Sequence, residues 1–291
     1  MASAHHDADV YYVPHSSRWP FVGSIALFVL MIGLVNWFNG SDSSYWIFLG
    51  GIAMLLFTLF RWFGDVIGES ETGKYNGQVD ISFRQGMIWF IFSEVMFFAA
   101  FFGALFYIRT FTLPWISGDG HGALANEFLW GGYTTGWPEN GPANLGGSFE
   151  TIHAFGLPLL NTMILLTSGL TITIAHHAMV IGKRSQVLVW LGATIALGLV
   201  FFGVQAYEYQ HAWVDLNLKM SSGIYGATFY MLTGFHGLHV FLGTLMLIVM
   251  WFRVLKGHFT PEKHFGFEAV AWYWHFVDVV WLGLFLFVYV L

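Results

Sequence analysis

The 291-residue sequence contains no cysteine. That excludes disulfides, iron–sulfur clusters, thiolate zinc sites, catalytic thiols and thiolate-ligated copper from this chain. Charge is scarce too, with 11 basic and 17 acidic residues making up 10% of the chain, against about 25% in a typical soluble domain. So few charged groups cannot cover a soluble fold of this length. The formal net charge of −6 carries no basic excess, which leaves no electrostatic basis for a nucleic-acid partner.

What the chain has in quantity is apolar surface: 56% of its residues are hydrophobic and 20% aromatic. The composition argues for an integral membrane protein, and the helical-length runs that follow make it all-α. A helical crossing needs about 20 mostly apolar residues to span roughly 30 Å of hydrocarbon. Seven runs meet that need, at 19–38, 45–63, 84–110, 154–182, 187–209, 224–254 and 267–290. Turn chemistry separates them in NGSDSS (39–44), GESETGKYNGQ (68–78), GKRSQ (182–186) and GHFTPEKHF (257–265). The stretch 111–153, rich in Gly, Pro, Trp and acidic residues, is expected to be an exposed loop. Residues 1–18 are polar and lack a basic leader or cleavage pattern, so the first span is expected to be retained.

Basic residues set the orientation. With the N-terminus in the cytoplasm, Arg18, Arg61, Lys74, Arg84, Lys183, Arg184, Arg253, Lys256 and Lys263 fall inside, and only Arg109 and Lys219 fall outside. This asymmetry predicts a cytoplasmic N-terminus and an outer C-terminus. Trp19, Trp37, Tyr45, Trp46, Trp62 and Tyr207 lie near the expected interfaces, as aromatic belts do.

An ionised residue at a helix centre costs about 2.5–3.5 kcal/mol on insertion scales, so polar groups within the spans must face the bundle or be neutral. Glu94, about 15 Å into the third span at 1.5 Å per residue, reads either as a proton-linked or lipid-facing carboxyl or as a hydrogen-bonded packing group. His236 and His239 share one helix face at i, i+3 and could hold a metal or haem, or bond neighbouring helices. Glu268, His275 and Asp278 form a stripe on the seventh span, suited to proton exchange or to an internal polar ladder. His176 and His177 point about 100° apart and read as interfacial. Asn161, Ser168 and Thr171 are spaced to join helices on one side of the fourth span, and Pro158 sits in its first turn, where proline is tolerated. These features leave three classes open: an accessory subunit of a membrane redox complex, a proton-coupled transporter, or a metal- or haem-bearing oxidase core. The third lacks a convincing ligand set.

Several stretches decide among the three. SEVMFFAAFFGALFY (93–107), GWPENG (136–141), LNTMILLTSGLTITIAHH (160–177), QAYEY (205–209), YGATFYMLTGFHGLHV (225–240) and HFGFEAVAWYWHFVDVVW (264–281) resemble subunit III of cytochrome c oxidase, in the same order and over spans three to seven. WPFVGS (19–24) resembles the family's entry into the first span. The resemblance implies seven helices in two bundles, helices 1–2 and helices 3–7, with a V-shaped cleft holding phospholipid. On this chain that gives an N-terminal segment 1–18, a two-helix bundle 19–63, an inner loop 64–83 and a five-helix bundle 84–291 that includes the outer loop 111–153.

The family also implies a subunit without haem or copper of its own, those cofactors sitting in partner subunits. The expected partners are oxidase subunits I, the main contact, and II, with cytochrome c as substrate of the complex. The implied role is to bind phospholipid, stabilise the catalytic subunit during turnover and support proton uptake while the complex reduces oxygen to water. Related quinol oxidases have a five-helix version, so seven spans favour the cytochrome c enzyme. By resemblance, Glu94 matches the family's buried carboxyl beside the cleft. Arg253, Lys256 and His258 match basic positions near lipid headgroups, and Trp62 and Glu69 match the end of the second helix and the loop after it. Gly68 departs from a common arginine, which puts one headgroup contact in doubt. The length of loop 111–153 leans towards a bacterial inner membrane rather than a mitochondrial one.

Overall fold

A computed structural model describes residues 11–14, 16–41 and 44–291; most of the expected N-terminal segment 1–18 lies outside them. Seven helices long and apolar enough to cross a membrane follow one another, and the described residues form no strand. They are α1 (Trp19–Phe38), α2 (Ser44–Glu71), α3 (Gly77–Tyr107), α4 (Leu157–Val180), α5 (Arg184–Val214), α6 (Gly223–Lys256) and α7 (Phe265–Leu284). A π-helical turn continues α3 through Thr112, and another continues α7 through Val290. The chain forms two compact units, residues 1–84 and 85–291, so the boundary falls within α3.

α1 matches its apolar run residue for residue. α2 instead runs eight residues past the apolar run that ends at 63, through the polar GDVIGESE segment, and α3 starts at Gly77. Hydropathy registers only the hydrocarbon layer, whereas helical hydrogen bonding continues into water as long as side chains permit.

In the first unit, α1 and α2 pack through small residues. A Cβ on Gly33 would collide with the backbone of Phe48, and one on Gly51 with the backbone of Leu30. Close backbone approach of this kind is how helices associate in lipid, where hydrophobic burial gives no net drive. Large apolar side chains point outward instead: Phe38 and Phe60 are each 81% exposed. Beyond the hydrocarbon, Trp19 Nε1 donates to Asp65 at 2.7 Å, tying the start of α1 to α2.

The second unit has a true core, formed mainly by α4, α5, α6 and α7, with Phe98 and Leu105 of α3 joining it. Trp274, fully buried, lies against Gly198 and Gly243, where a Cβ would come within 2.9 Å of the indole. Its Nε1 donates to Ser168 Oγ at 2.9 Å, and Trp281 Nε1 donates to Thr162 Oγ1 at the same distance. Thr171 and Thr194 join α4 to α5 at 2.8 Å. Of the three small polar residues expected to join helices from α4, Ser168 and Thr171 do so, whereas the carboxamide of Asn161 has no hydrogen-bond partner among the described residues.

The stretch 111–153 is more structured than a free loop. A short helix (Ala123–Leu129) precedes a turn with a cis Trp137–Pro138 bond. The Arg109 guanidinium sits 4.9 Å from the Trp137 ring centroid. Phe149 stacks on Tyr225 with ring centroids 5.5 Å apart. Backbone bonds from Tyr225 to Glu139 (3.2 Å) and from Glu150 to Leu216 (2.9 Å) fasten the segment to the ends of α5 and α6. Its glycines and prolines read as loop chemistry, but its aromatics seal it onto the helices.

Candidate functional site

Within the spans, Glu94 and His239 form a bonded carboxyl–imidazole pair. Glu94 Oε2 lies 3.0 Å from His239 Nε2, joining α3 to α6. The His239 side chain is 10% exposed and the Glu94 side chain 23%. His239 Nδ1 lies 2.6 Å from the Phe235 carbonyl oxygen. A carbonyl only accepts, so Nδ1 carries a hydrogen. Nε2 then either accepts a proton from the Glu94 carboxylic acid or donates one to its carboxylate. In both cases one mobile proton is shared between the two side chains. Phe98 (4.9 Å), Phe97 (5.9 Å), Phe276 (6.3 Å) and Tyr273 (6.4 Å) surround the imidazole. An apolar wall of this kind strengthens the hydrogen bond by excluding water.

His236 does not join that pair. It is fully buried, its Nε2 lies 3.2 Å from the Val277 carbonyl, and its ring packs 5.0 Å from Trp281. The two histidines share the i, i+3 face, yet one bonds the α7 backbone and the other the α3 carboxyl.

The stripe expected on α7 divides in two. Asp278 packs its carboxylate directly against Gly169 of α4. His275 Nδ1 lies 3.9 Å from Asp278 Oδ2, and its Nε2 lies 3.2 Å from Thr173 Oγ1. Glu268 instead meets His176 and His264 at the other end of the helix, with one ligand atom of each within 4.8 Å of the others. Two imidazoles and a carboxylate at that spacing could hold a divalent cation. Helical spacing alone makes His176 merely interfacial. His264 carries no signal in the sequence, because it precedes α7 in a turn and becomes relevant only once α4 packs beside it.

The basic positions gather where α6 ends. Gly257, with φ +81°, closes the helix in the left-handed conformation that glycine adopts freely. Arg253 lies over the Phe259 ring, 4.4 Å from its centroid, while Lys256 is exposed and His258 half-buried. Arg184 Nε donates to the Val254 carbonyl at 2.9 Å and Nη2 to that of Leu255, so a cation from α5 caps the negative end of α6. In the sequence Arg184 is only one more inner-side charge, and nothing there signals this role.

In the first unit, Trp62 is 43% exposed on α2. Glu69, in the last turn of α2, accepts from Tyr12 at 2.9 Å and from Tyr75 at 2.8 Å. Burial first, and then the bond to Glu69, push the Tyr75 phenol up; the Glu69 bond is the leading cause of the upward shift at Tyr12. Lys74 lies 5.5 Å from the Tyr12 ring centroid. Glu69 is thus held by two phenols from outside the span, a pairing with no periodic signature.

These features define a seven-helix integral membrane protein with bonded ionisable groups inside its second unit and a cationic cluster at one end of α6. The chain matches the family model for cytochrome c oxidase subunit III over residues 9–115 and 128–291. It is 41% identical over 285 residues to cytochrome c oxidase subunit 3 of Antilope cervicapra and of Gazella subgutturosa, and 40% identical to that of Pelea capreolus. Each alignment covers 98% of both chains. The chain belongs to the cytochrome c oxidase subunit III family. It is therefore a multi-pass membrane component of an oxidoreductase complex and partners other oxidase subunits. Residues 116–127, between the two matched stretches, are the part of the long loop that the family model leaves unmatched.

Proposed function

We propose that this chain is a non-redox subunit of a proton-pumping cytochrome c oxidase that binds phospholipid, stabilises the catalytic subunit during turnover and supports proton uptake. Haem and copper would reside in partner subunits, with subunit I as the main contact, subunit II beside it and cytochrome c as electron donor to the complex. The observation that carries the reading is the Glu94–His239 bond, an ionisable pair inside a span of a chain that belongs to this family. The chemistry of the pair is to hold one proton between two helices, which ties α3 to α6 without leaving an isolated charge in hydrocarbon.

Phospholipid is the second element. Arg253, Lys256 and His258 sit at a helix end, where cations suit anionic headgroups. Trp62 supplies an exposed aromatic face in the first unit, of the kind that anchors at a membrane interface. Glu69 contributes by fixing Tyr12 and Tyr75 rather than by meeting phosphate directly, since it already accepts from both phenols. We assign the cationic end of α6 to the inner face, with the N-terminus inside, and take a bacterial inner membrane as the setting, for which the long outer loop is the support. Family membership displaces the transporter alternative.

Mass spectrometry of lipids retained by the purified complex tests the headgroup assignment. The double variant Arg253→Gln, Lys256→Gln is expected to lose tightly held anionic phospholipid while keeping its partner subunits. Unchanged lipid content would contradict it.

A further inference from the structure

The proposed function uses Glu94 and leaves a second buried carboxyl unexplained. Glu208, on α5, has 0% exposure. Its Oε1 accepts two hydrogen bonds, from Tyr289 at 2.7 Å and from Gln205 Nε2 at 3.2 Å. Its Oε2 has no protein partner among the described residues, and neither has the carboxamide oxygen of Gln205, itself only 5% exposed. The two side chains lie one turn apart, joined along one edge and unpartnered along the other. A buried carboxyl oxygen with no partner forfeits its hydration without replacement, which native cores avoid.

A third residue falls at the same level. The Thr171–Thr194 bond fixes the register of α4 against α5. Moving ten residues outward along each helix brings Asn161 level with Val204. Asn161 is fully buried, and both polar atoms of its carboxamide lack protein partners among the described residues. Thr162, beside it, bonds Trp281, whose ring lies 6.0 Å from that of Tyr289. By that register the unpartnered atoms of Asn161, Gln205 and Glu208 belong to residues within about one helical turn of the same level, where Thr162–Trp281 and Tyr289–Glu208 contacts tie the helices together. These atoms comprise one donor group, two amide oxygens and one carboxyl oxygen, a set that suits water, which both donates and accepts and needs two to four polar partners.

That level has a polar route outward. His211 lies one turn beyond Glu208 on the same helix face. Its Nδ1 meets Asp215 Oδ2 at 2.7 Å, and the side chains of His211 and Asp215 are 40% and 61% exposed. The other titratable groups that face Glu208 are phenols: Tyr209 on α5, Tyr225 and Tyr230 on α6, and Tyr289 after α7. Among the described residues, no lysine or arginine faces it that could lock it as a permanent ion pair.

We propose that Asn161, Gln205 and Glu208 form a water-binding chamber inside the second unit, and that Glu208 exchanges a proton through this water and His211 with the membrane face where α5 ends. The Oε2–H bond breaks as bound water takes the proton, and the water passes one of its own to Nε2 of His211. Return reverses the same bonds, so no oxidant or reductant is involved.

Infrared spectroscopy of the intact complex tests this through hydrogen–deuterium exchange. Glu208→Gln is expected to remove one carboxyl band that shifts in D2O in the unaltered protein. His211→Leu is expected to slow that shift by about tenfold or more, since a positioned proton carrier has been lost. A Glu208 band that never shifts, or one whose shift rate is unaffected by His211→Leu, overturns the relay. If Glu208→Gln fails to assemble, a density map of the unaltered complex decides. Ordered water between Glu208 Oε2 and Gln205 Oε1 supports the chamber, and direct protein contacts to both oxygens overturn it.

Discussion

At position 94 the chain tolerates a carboxyl in hydrocarbon because His239 meets it at 3.0 Å. Glu94→Gln preserves the shape and a hydrogen bond, so the variant should assemble and sustain near-normal oxygen reduction. Glu94→Lys places an ammonium against an imidazole in the apolar wall, a loss of about 3–5 kcal/mol if the charge stays unpaired. Co-purification with haem-bearing subunits reads this directly: Gln should co-purify and Lys should not. Near-zero turnover in an assembled Gln variant would instead make the pair an essential relay. Gly169 offers a second test, since its missing Cβ leaves the space that the Asp278 carboxylate fills. Gly169→Ala should lower resistance to denaturant by about 1–3 kcal/mol, the range for overpacking. At this scale the sequence is informative about which groups are unusual and silent about their partners. Helical spacing puts His236 and His239 on one face, but only the packing of α3 and α7 separates a backbone-bonded imidazole from a carboxylate-bonded one.

Helix ends are where elements depart from their hydropathy. The apolar run of α2 stops at residue 63, yet the helix continues to Glu71, stabilised by Trp19–Asp65 and by the phenols on Glu69. Those phenols give the α2–α3 turn a pH signature. The folded protein holds Tyr12 and Tyr75 above their ordinary values, so it binds their protons more tightly than the unfolded chain does. The resulting stability is complete below about pH 10, the unfolded phenol value, and is lost as pH climbs through the raised folded values. Limited proteolysis at residues 72–76 should accelerate above that pH. Tyr75→Phe should flatten the dependence, and an unchanged alkaline rise in the variant would refute the assignment. In the second unit, Arg184→Ala should cost about 1 kcal/mol by uncapping α6. The seven spans themselves are legible in the sequence because their length and apolarity are imposed by the bilayer. The docking of 111–153 is not, because a stacked Phe149 and a packed Trp137 look like any loop aromatic until Tyr225 and Arg109 are beside them.

For the whole molecule, the scarcity of charge fits a membrane-embedded chain, and the lack of cysteine bounds the chemistry it can supply. A chain without thiolates cannot supply a thiolate-bridged copper centre. Its bonded ionisable groups are instead held between its own helices, as Glu94 is by His239, or at their ends, as Glu69 is by two tyrosines. That arrangement is compatible with the proposed role of a lipid-holding companion to a redox subunit. Following oxygen reduction, turnover by turnover, in the complex with and without this chain tests that role most directly. The depleted complex is expected to reduce oxygen at first and then to lose activity over successive turnovers. Complete loss of oxygen reduction at the first turnover would contradict it.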